Sequence, residues 1–302
     1  MKKIILTALL LPTLLISSAF AQSGGEGGAY LKHGFGARAN SMGNAFSGVA
    51  NDVSAIFYNS AGLYQLKKSE GLLMYSKLFS DVDGLTYGNF AIAQPFKFGT
   101  LAFGTAYMQV SDIPYVSSPS GPDGSTFADN QIMLMASYSN IIEDYLMFGG
   151  TLKFVNHSLA GYNGSGFGID LGFITKINQY ISAGISLENI IQPTINLNNS
   201  SYKYPVKTRL GVGAYPVKGL TLSSELDFMK GKDAIFGFGA EYSFYKDMII
   251  ARAGYNTLNS SFSFGAGINY KGIGFDYSFN THKDLGSISK FGLIVKLDLI
   301  SF

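Results

Sequence analysis

From Leu72 to the end of the chain, apolar and polar residues alternate with a period of two, and ionised side chains keep to one side. In "GFGIDLGFITK", Phe167, Ile169, Leu171 and Phe173 share a face and Asp170 takes the other. Leu210 and Val212 oppose Lys207 and Arg209, while Leu222, Leu226 and Phe228 oppose Glu225 and Asp227. Phe238, Tyr242 and Phe244 oppose Glu241, and Phe275, Tyr277 and Phe279 oppose Asp276. Phe291, Leu293, Val295, Leu297 and Leu299 oppose Lys296 and Asp298. Successive strand side chains point to opposite faces, so this pattern describes a wall with one greasy and one wet surface. An Arg or Lys on a lipid face at mid-depth costs about 2–4 kcal/mol. A lumen is the cheaper place for Asp170, Arg209, Glu225, Asp227, Glu241 and Asp276. The pattern predicts an all-β fold, a transmembrane antiparallel β-barrel.

Fourteen segments alternate, from 71–79 through 289–302, each about long enough to cross a bilayer as a tilted strand. Counted from a periplasmic start, the expected outward connections include 110–130, 157–164, 189–204 and 281–288. The inward ones are all short, which is the loop asymmetry of outer-membrane barrels. A sheet in hydrocarbon must pair its edges, and an even strand count permits closure. Glycines within strands, as at 237–242, suit a curving sheet. The terminal Phe302 resembles the aromatic end of barrel assembly signals, although Lys296 and Asp298 break its expected alternation.

Composition agrees. Charged residues make up 14% of the chain, against about 25% in soluble domains. There are 24 Phe, 19 Tyr and 37 Gly, and no Cys, so disulfides and lipidated Cys are excluded. Lys2-Lys3, an apolar run over 4–16 and Ala19-Phe20-Ala21 read as an export signal over residues 1–21. A net charge of +2 without a basic cluster argues against a nucleic-acid partner.

Between signal and strands lies "GARANSMGNAFSGVANDVSAIFYNSAGL", residues 36–63. Asp52 is placed to cap a short helix over 53–58, and Gly62 to end it in the left-handed conformation. The small residues allow close packing. Gly36, Arg38, Met42-Gly43, Ala45-Phe46, Ala50, Asp52, Ala55 and the ending Tyr58-Asn59-Ser60-Ala61-Gly62-Leu63 carry a resemblance. The stretch resembles the N-terminal signature of the PorV/PorQ family and, more distantly, the start of FadL-type fatty-acid transporters. Ser60 stands where that signature has Pro, which loosens the turn. The resemblance implies a barrel over 71–302 whose segment 22–70 folds inward as a hatch, with Arg38, Asp52, Asn59, Ser60, Ala61 and Gly62 as its signature residues. Arg38 is then expected to pair with a lumen carboxylate such as Asp170, Glu225 or Asp276.

Catalytic chemistry is not indicated. His33 lies in the hatch stretch, His157 on an expected loop beside Ser158, and His282 on another near Asp284. None is spaced for a triad on adjacent strands, and no metal-ligand or cofactor motif occurs. "GSGFG" at 164–168 lacks the following helix of a phosphate loop, so its glycines read as easing a strand start. Two functions compete. The PorV/PorQ resemblance, which we favour at this level, implies type IX secretion or surface assembly with secretion-machinery proteins or exported cargo. The FadL resemblance implies a plugged channel for hydrophobic or amphipathic ligands. External contacts are expected on loops carrying Ile113, Tyr115, Val116, Ile190, Ile191 and Ile195. The expected location is the outer membrane, in contact with its lipid and with both mature termini periplasmic.

Overall fold

A computed structural model describes residues 27–79, 83–116, 119, 121–122, 124–282 and 286–297. The expected signal over 1–21 and the terminal Phe302 lie outside the described residues. Fourteen antiparallel strands close into a barrel: β1 (Ser69–Lys77), β2 (Leu85–Phe96), β3 (Gly99–Pro114), β4 (Thr126–Ile142), β5 (Leu146–Leu159), β6 (Tyr162–Asn178), β7 (Ile181–Ile191), β10 (Lys207–Ala214), β11 (Leu220–Met229), β12 (Ile235–Phe244), β13 (Ile249–Asn256), β14 (Ser261–Tyr270), β15 (Ile273–His282) and β16 (Gly286–Leu297). Two further strands, β8 (Thr194–Leu197) and β9 (Ser200–Lys203), form a hairpin of their own. Neighbours in sequence pair around the ring, and β1 meets β16 from Ser69↔Leu297 to Lys77↔Ser289. No described helix is long and apolar enough to cross a membrane.

The alternation holds in space. Phe275 is 62% exposed and the adjacent Asp276 8%. Phe167, Leu152, Phe238 and Phe291 project outward on other strands. The fold is that of an outer-membrane β-barrel: its outer wall suits hydrocarbon, and ring closure leaves no unpaired edge.

Several strands run further than the periodicity predicts. β5 and β6 remain paired to Leu159↔Tyr162, so the expected connection 157–164 shrinks to Ala160-Gly161, both at positive φ. That is a two-residue hairpin of the kind that matches strand twist. His157 therefore lies on a strand, and so do Ile113, Ile190, Ile191 and His282, because β3, β7 and β15 continue past the expected ends. The two longest connections, 115–125 and 192–206, still lie at one end of the barrel.

The first described residues sit at that same end, with Gly27 against Tyr202 and Gly28 against Tyr204. β16 ends at Leu297 beside Ser69, at the opposite end. The mature termini themselves, expected on one side, lie outside the described residues.

Replacing Phe275 with Arg is expected to cost about 2–4 kcal/mol in a urea titration of barrel refolded into lipid vesicles. A cost below about 0.5 kcal/mol would show that this face does not meet acyl chains.

Candidate functional site

The N-terminal segment is a chain of short turns with its own caps: a 3₁₀ turn at Ala29–His33, helix α1 (Ala37–Ser41), and 3₁₀ turns at Val53–Phe57 and Ser60–Gln65. Asp52 caps the second 3₁₀ turn, its carboxylate accepting from Ser54 N at 2.8 Å. Asn59 caps the third, accepting from Ala61 N at 3.2 Å. Gly62 does not end a helix in the left-handed conformation; it lies within that third turn. A side chain there would strike the carbonyl of Ala50, so a close approach, not a helix stop, requires the glycine. Ser60 is buried, and the Asn59 bond closes the turn that Pro would otherwise fix.

The segment touches the wall on every side. Gly43 meets the carbonyls of Phe238 and Tyr255, Ser47 and Gly48 meet Gly184 and Gly211, and Ser60-Ala61 meet Gly149. A chain that reaches opposite sides of a closed cylinder lies inside it. The inward glycines of β5, β7, β10 and β13 form its seat. A Cβ on Gly48 would stand 2.5 Å from the Gly211 carbonyl carbon, and one on Gly254 would collide with Met42 and Gly43. The strand glycines read as curvature devices at 237–242 also face this segment: Gly237 and Gly239 abut the Gly43 and Met42 carbonyls. Likewise Gly164, Gly166 and Gly168 ease no strand start, because β6 already begins at Tyr162; Gly164 and Gly166 receive β8 at Asn196 and Thr194, and Gly168 receives the Pro193 ring just before it.

Asn59 joins segment to wall, its amide donating to Ser47 O (3.0 Å), Phe173 O (3.1 Å) and Ile185 O (3.2 Å). Arg38 pairs with none of the three expected carboxylates. It forms a two-pronged bridge to Glu241 (2.8 Å each) and a third bond to Asp52 (2.7 Å). Burial works against the Arg38 charge, but Glu241 and Asp52 outweigh it and hold its pKa above the ordinary value. From Glu241 the network continues to Arg252 and then Asp276, at 2.6 Å each. A second network joins Lys153 to Asp170 (2.7 Å), and Arg209 to Glu188, Glu225 and Asp227. Glu225 also accepts from Phe46 N and Ser47 N, at 3.1 and 2.6 Å. Lys290, fully buried, donates to His33 O, to Gly34 O at 3.1 Å and to Asn40 Oδ1 at 2.6 Å.

Lys153, Glu188, Arg252 and Lys290 were missed. Arg252 lies between Ala251 and Ala253 and Lys290 follows Ser289, so no large apolar pair flags the alternation there. The β6–β7 register shift between Ile169 and Leu171 also escapes periodicity. It presents Asp170 to Asn189 N at 2.7 Å.

At the long-connection end, His157 bonds Asp129 at 2.8 Å and also Tyr202, tying the β8–β9 hairpin to the wall. The hairpin folds inward, which corrects the reading of Ile195 as an external contact: it is fully buried. Tyr115, Val116, Ile190 and Ile191 are exposed. Inside the barrel a cavity of about 60 Å³ is lined by apolar Phe35, Met133 and Met135 and by ion-paired Lys153, Asp170 and Arg209. Among the described residues no cluster of His, Asp and Glu is placed to hold a metal ion.

No protein-family model and no curated protein sequence matches the chain. Solved structures do match in fold. The toluene transporter TbuX of Ralstonia pickettii aligns with a TM-score of 0.63 at 14% identity, over 88% of this chain and 98% of that one. The Pseudomonas putida toluene transporter TodX gives 0.64 at 14%, over 87% and 97%. A Pseudomonas aeruginosa FadL homologue gives 0.59 at 12%, over 86% and 98%. The FadL-like part of the resemblance is thus supported at the level of the barrel; no PorV/PorQ protein is among these three.

Gly254→Val should leave a folded barrel, scored by heat-dependent gel mobility, while residues 27–66 become cleavable by added protease. Continued protection would mean that the segment does not rest on this glycine. A pH effect is also expected. Burial, then Lys290 and His282, push His33 down to about 3, below its ordinary 6.5. The neutral ring is favoured in the folded state, so its contribution is complete above about pH 6.5 and is lost as pH falls toward 3. Hydrogen exchange at residues 29–34 should quicken over that window, and less so in His33→Phe.

Proposed function

We propose that the protein is an outer-membrane channel plugged by its own N-terminal segment, passing hydrophobic or amphipathic small molecules. In this reading residues 1–21 are the export signal, 22–70 the hatch and 71–302 the barrel, with the short connections periplasmic. The observation that carries it is a cavity of mixed lining: apolar Phe35, Met133 and Met135 and ion-paired Lys153, Asp170 and Arg209 border the same space inside the barrel. Such a lining suits a ligand with an apolar body and a polar end. The fold shared with two toluene transporters and a FadL homologue supports the same class of cargo.

Mechanically, the segment meets the wall through hydrogen bonds, small-residue contacts and the Arg38–Glu241 ion pair, so its displacement would break these and leave the strand ladder intact. The secretion reading favoured at the sequence level receives no support from these neighbours, and Ile195, one of its proposed contacts, is buried. The proposal calls for lipid around the wall and for no cofactor or nucleic acid.

Two measurements test it. Deleting residues 24–66 should raise single-channel conductance in planar bilayers severalfold. Liposomes containing the intact barrel should take up toluene or a medium-chain fatty acid faster than empty liposomes, with no gain for a sugar of similar size. Unchanged conductance would remove the plug from the account. Absent uptake, together with co-purification of secretion components after crosslinking in the native membrane, would return the secretion role to first place.

A further inference from the structure

The short-connection rim carries a feature that the channel reading does not use. Exposed lysines encircle it: Lys67 and Lys68 before β1, Lys97 between β2 and β3, Lys176 near the end of β6, Lys218 between β10 and β11, Lys246 between β12 and β13, Lys271 between β14 and β15, and Lys296 near the end of β16. Among the described residues the exposed acids at this rim are Glu143, Asp144 and Asp247. Lys296 is shared with Glu70, at 3.2 Å. Among the described residues the opposite rim sets Lys77, Lys203, Lys230 and Lys232 against Asp83, Asp112 and Asp233.

Five of these lysines have a large exposed apolar or aromatic residue close beside them. Phe98 adjoins Lys97, Val217 adjoins Lys218, Tyr245 adjoins Lys246 and Tyr270 adjoins Lys271, while Ile177 and Tyr180 follow Lys176. The Lys271 ammonium stands 5.2 Å from the Tyr270 ring centroid. An aromatic ring prefers the headgroup level of a bilayer, and a lysine stem can lie along apolar surface while its ammonium reaches polar groups. The repeated pair therefore sets a cation at phosphate height around most of the circumference.

We propose that this rim is a binding surface for anionic glycerophospholipid headgroups, which fixes the short-connection end in a leaflet that contains them. Charge complementarity selects the partner. A zwitterionic headgroup offers its own ammonium against the lysines, whereas an anionic one offers phosphate alone. Each lysine near an anionic surface adds a small attraction that fades within a Debye length, and a ring of them adds up without any single pocket. The inference rests on the barrel fold and stands whether or not the lumen conducts.

The test reconstitutes full-length protein with equal amounts of phosphatidylglycerol and phosphatidylcholine, then counts retained lipids by native mass spectrometry. Phosphatidylglycerol should be retained at least about fivefold over phosphatidylcholine, and raising salt from about 0.1 M to about 1 M should erase the preference. A quintuple variant with Lys97, Lys176, Lys218, Lys246 and Lys271 changed to Gln should lose it at low salt. The matching variant of Lys77, Lys203, Lys230 and Lys232 should keep it. Equal retention of the two lipids by unmodified protein overturns the proposal, and that measurement does not depend on any variant folding. Retention that survives the quintuple change, or that inorganic phosphate abolishes at equimolar amounts with lipid, overturns it as well.

Discussion

The pairing of β1 with β16 is the interaction on which the rest of the structure depends. Nine consecutive residue pairs, Ser69↔Leu297 to Lys77↔Ser289, convert a curled sheet into a cylinder. In hydrocarbon an unmade backbone hydrogen bond finds no water to replace it. Closure therefore decides whether the apolar outer wall is stable at all. It also creates a fixed interior, and the same side-chain alternation that greases the outside fills that interior with ionised groups. The charge networks and the seat of the N-terminal segment both follow from that one geometric condition.

Inside, bare carboxylates would face one another across a narrow space. The wall answers part of this with its own cations, Arg209 among Glu188, Glu225 and Asp227, and Arg252 between Glu241 and Asp276. The rest is answered by the threaded segment. Arg38 completes the Glu241 cluster, and the backbone N–H groups of Phe46 and Ser47 reach Glu225 while that of Val53 reaches Glu70. Removing one partner of a buried pair leaves an uncompensated charge, typically a cost of about 3–5 kcal/mol.

The barrel was legible because its signal repeats. Fourteen strands each restate the same two-sidedness, so an error of several residues at any one end does not change the conclusion. The six charges assigned to the lumen from sequence are all buried in the structure, and each has at least one large apolar neighbour that marks the opposite face. Partners were not legible. Arg38 reaches Glu241, more than two hundred residues away, by a geometry that only barrel closure sets. The inward folding of the β8–β9 hairpin escaped for a similar reason: Ile195 and Leu197 look like loop apolar residues until Gly164 and Gly166 are seen to leave room for the backbone of Asn196 and Thr194 beside them. Glycine was the least decipherable residue, since a missing side chain says nothing of whether the space serves curvature or contact.

The wall's lysine at 290 shows how the segment and the barrel specify each other. Its ammonium sits fully buried, and among the described residues it bonds two carbonyls and one amide oxygen of the segment, with no carboxylate in an ion pair. A cation with only neutral acceptors stays buried while those acceptors stay in place. Glu225 is the mirror case, an anion partly satisfied by two backbone N–H groups of the same segment. Moving the segment away from Lys290 without replacement would strand a charge, whereas Glu225 would keep Arg209 as its partner on the wall. The ionised residues of the wall and the polar groups of the segment therefore hold one packed arrangement together, each supplying the partner that the other lacks.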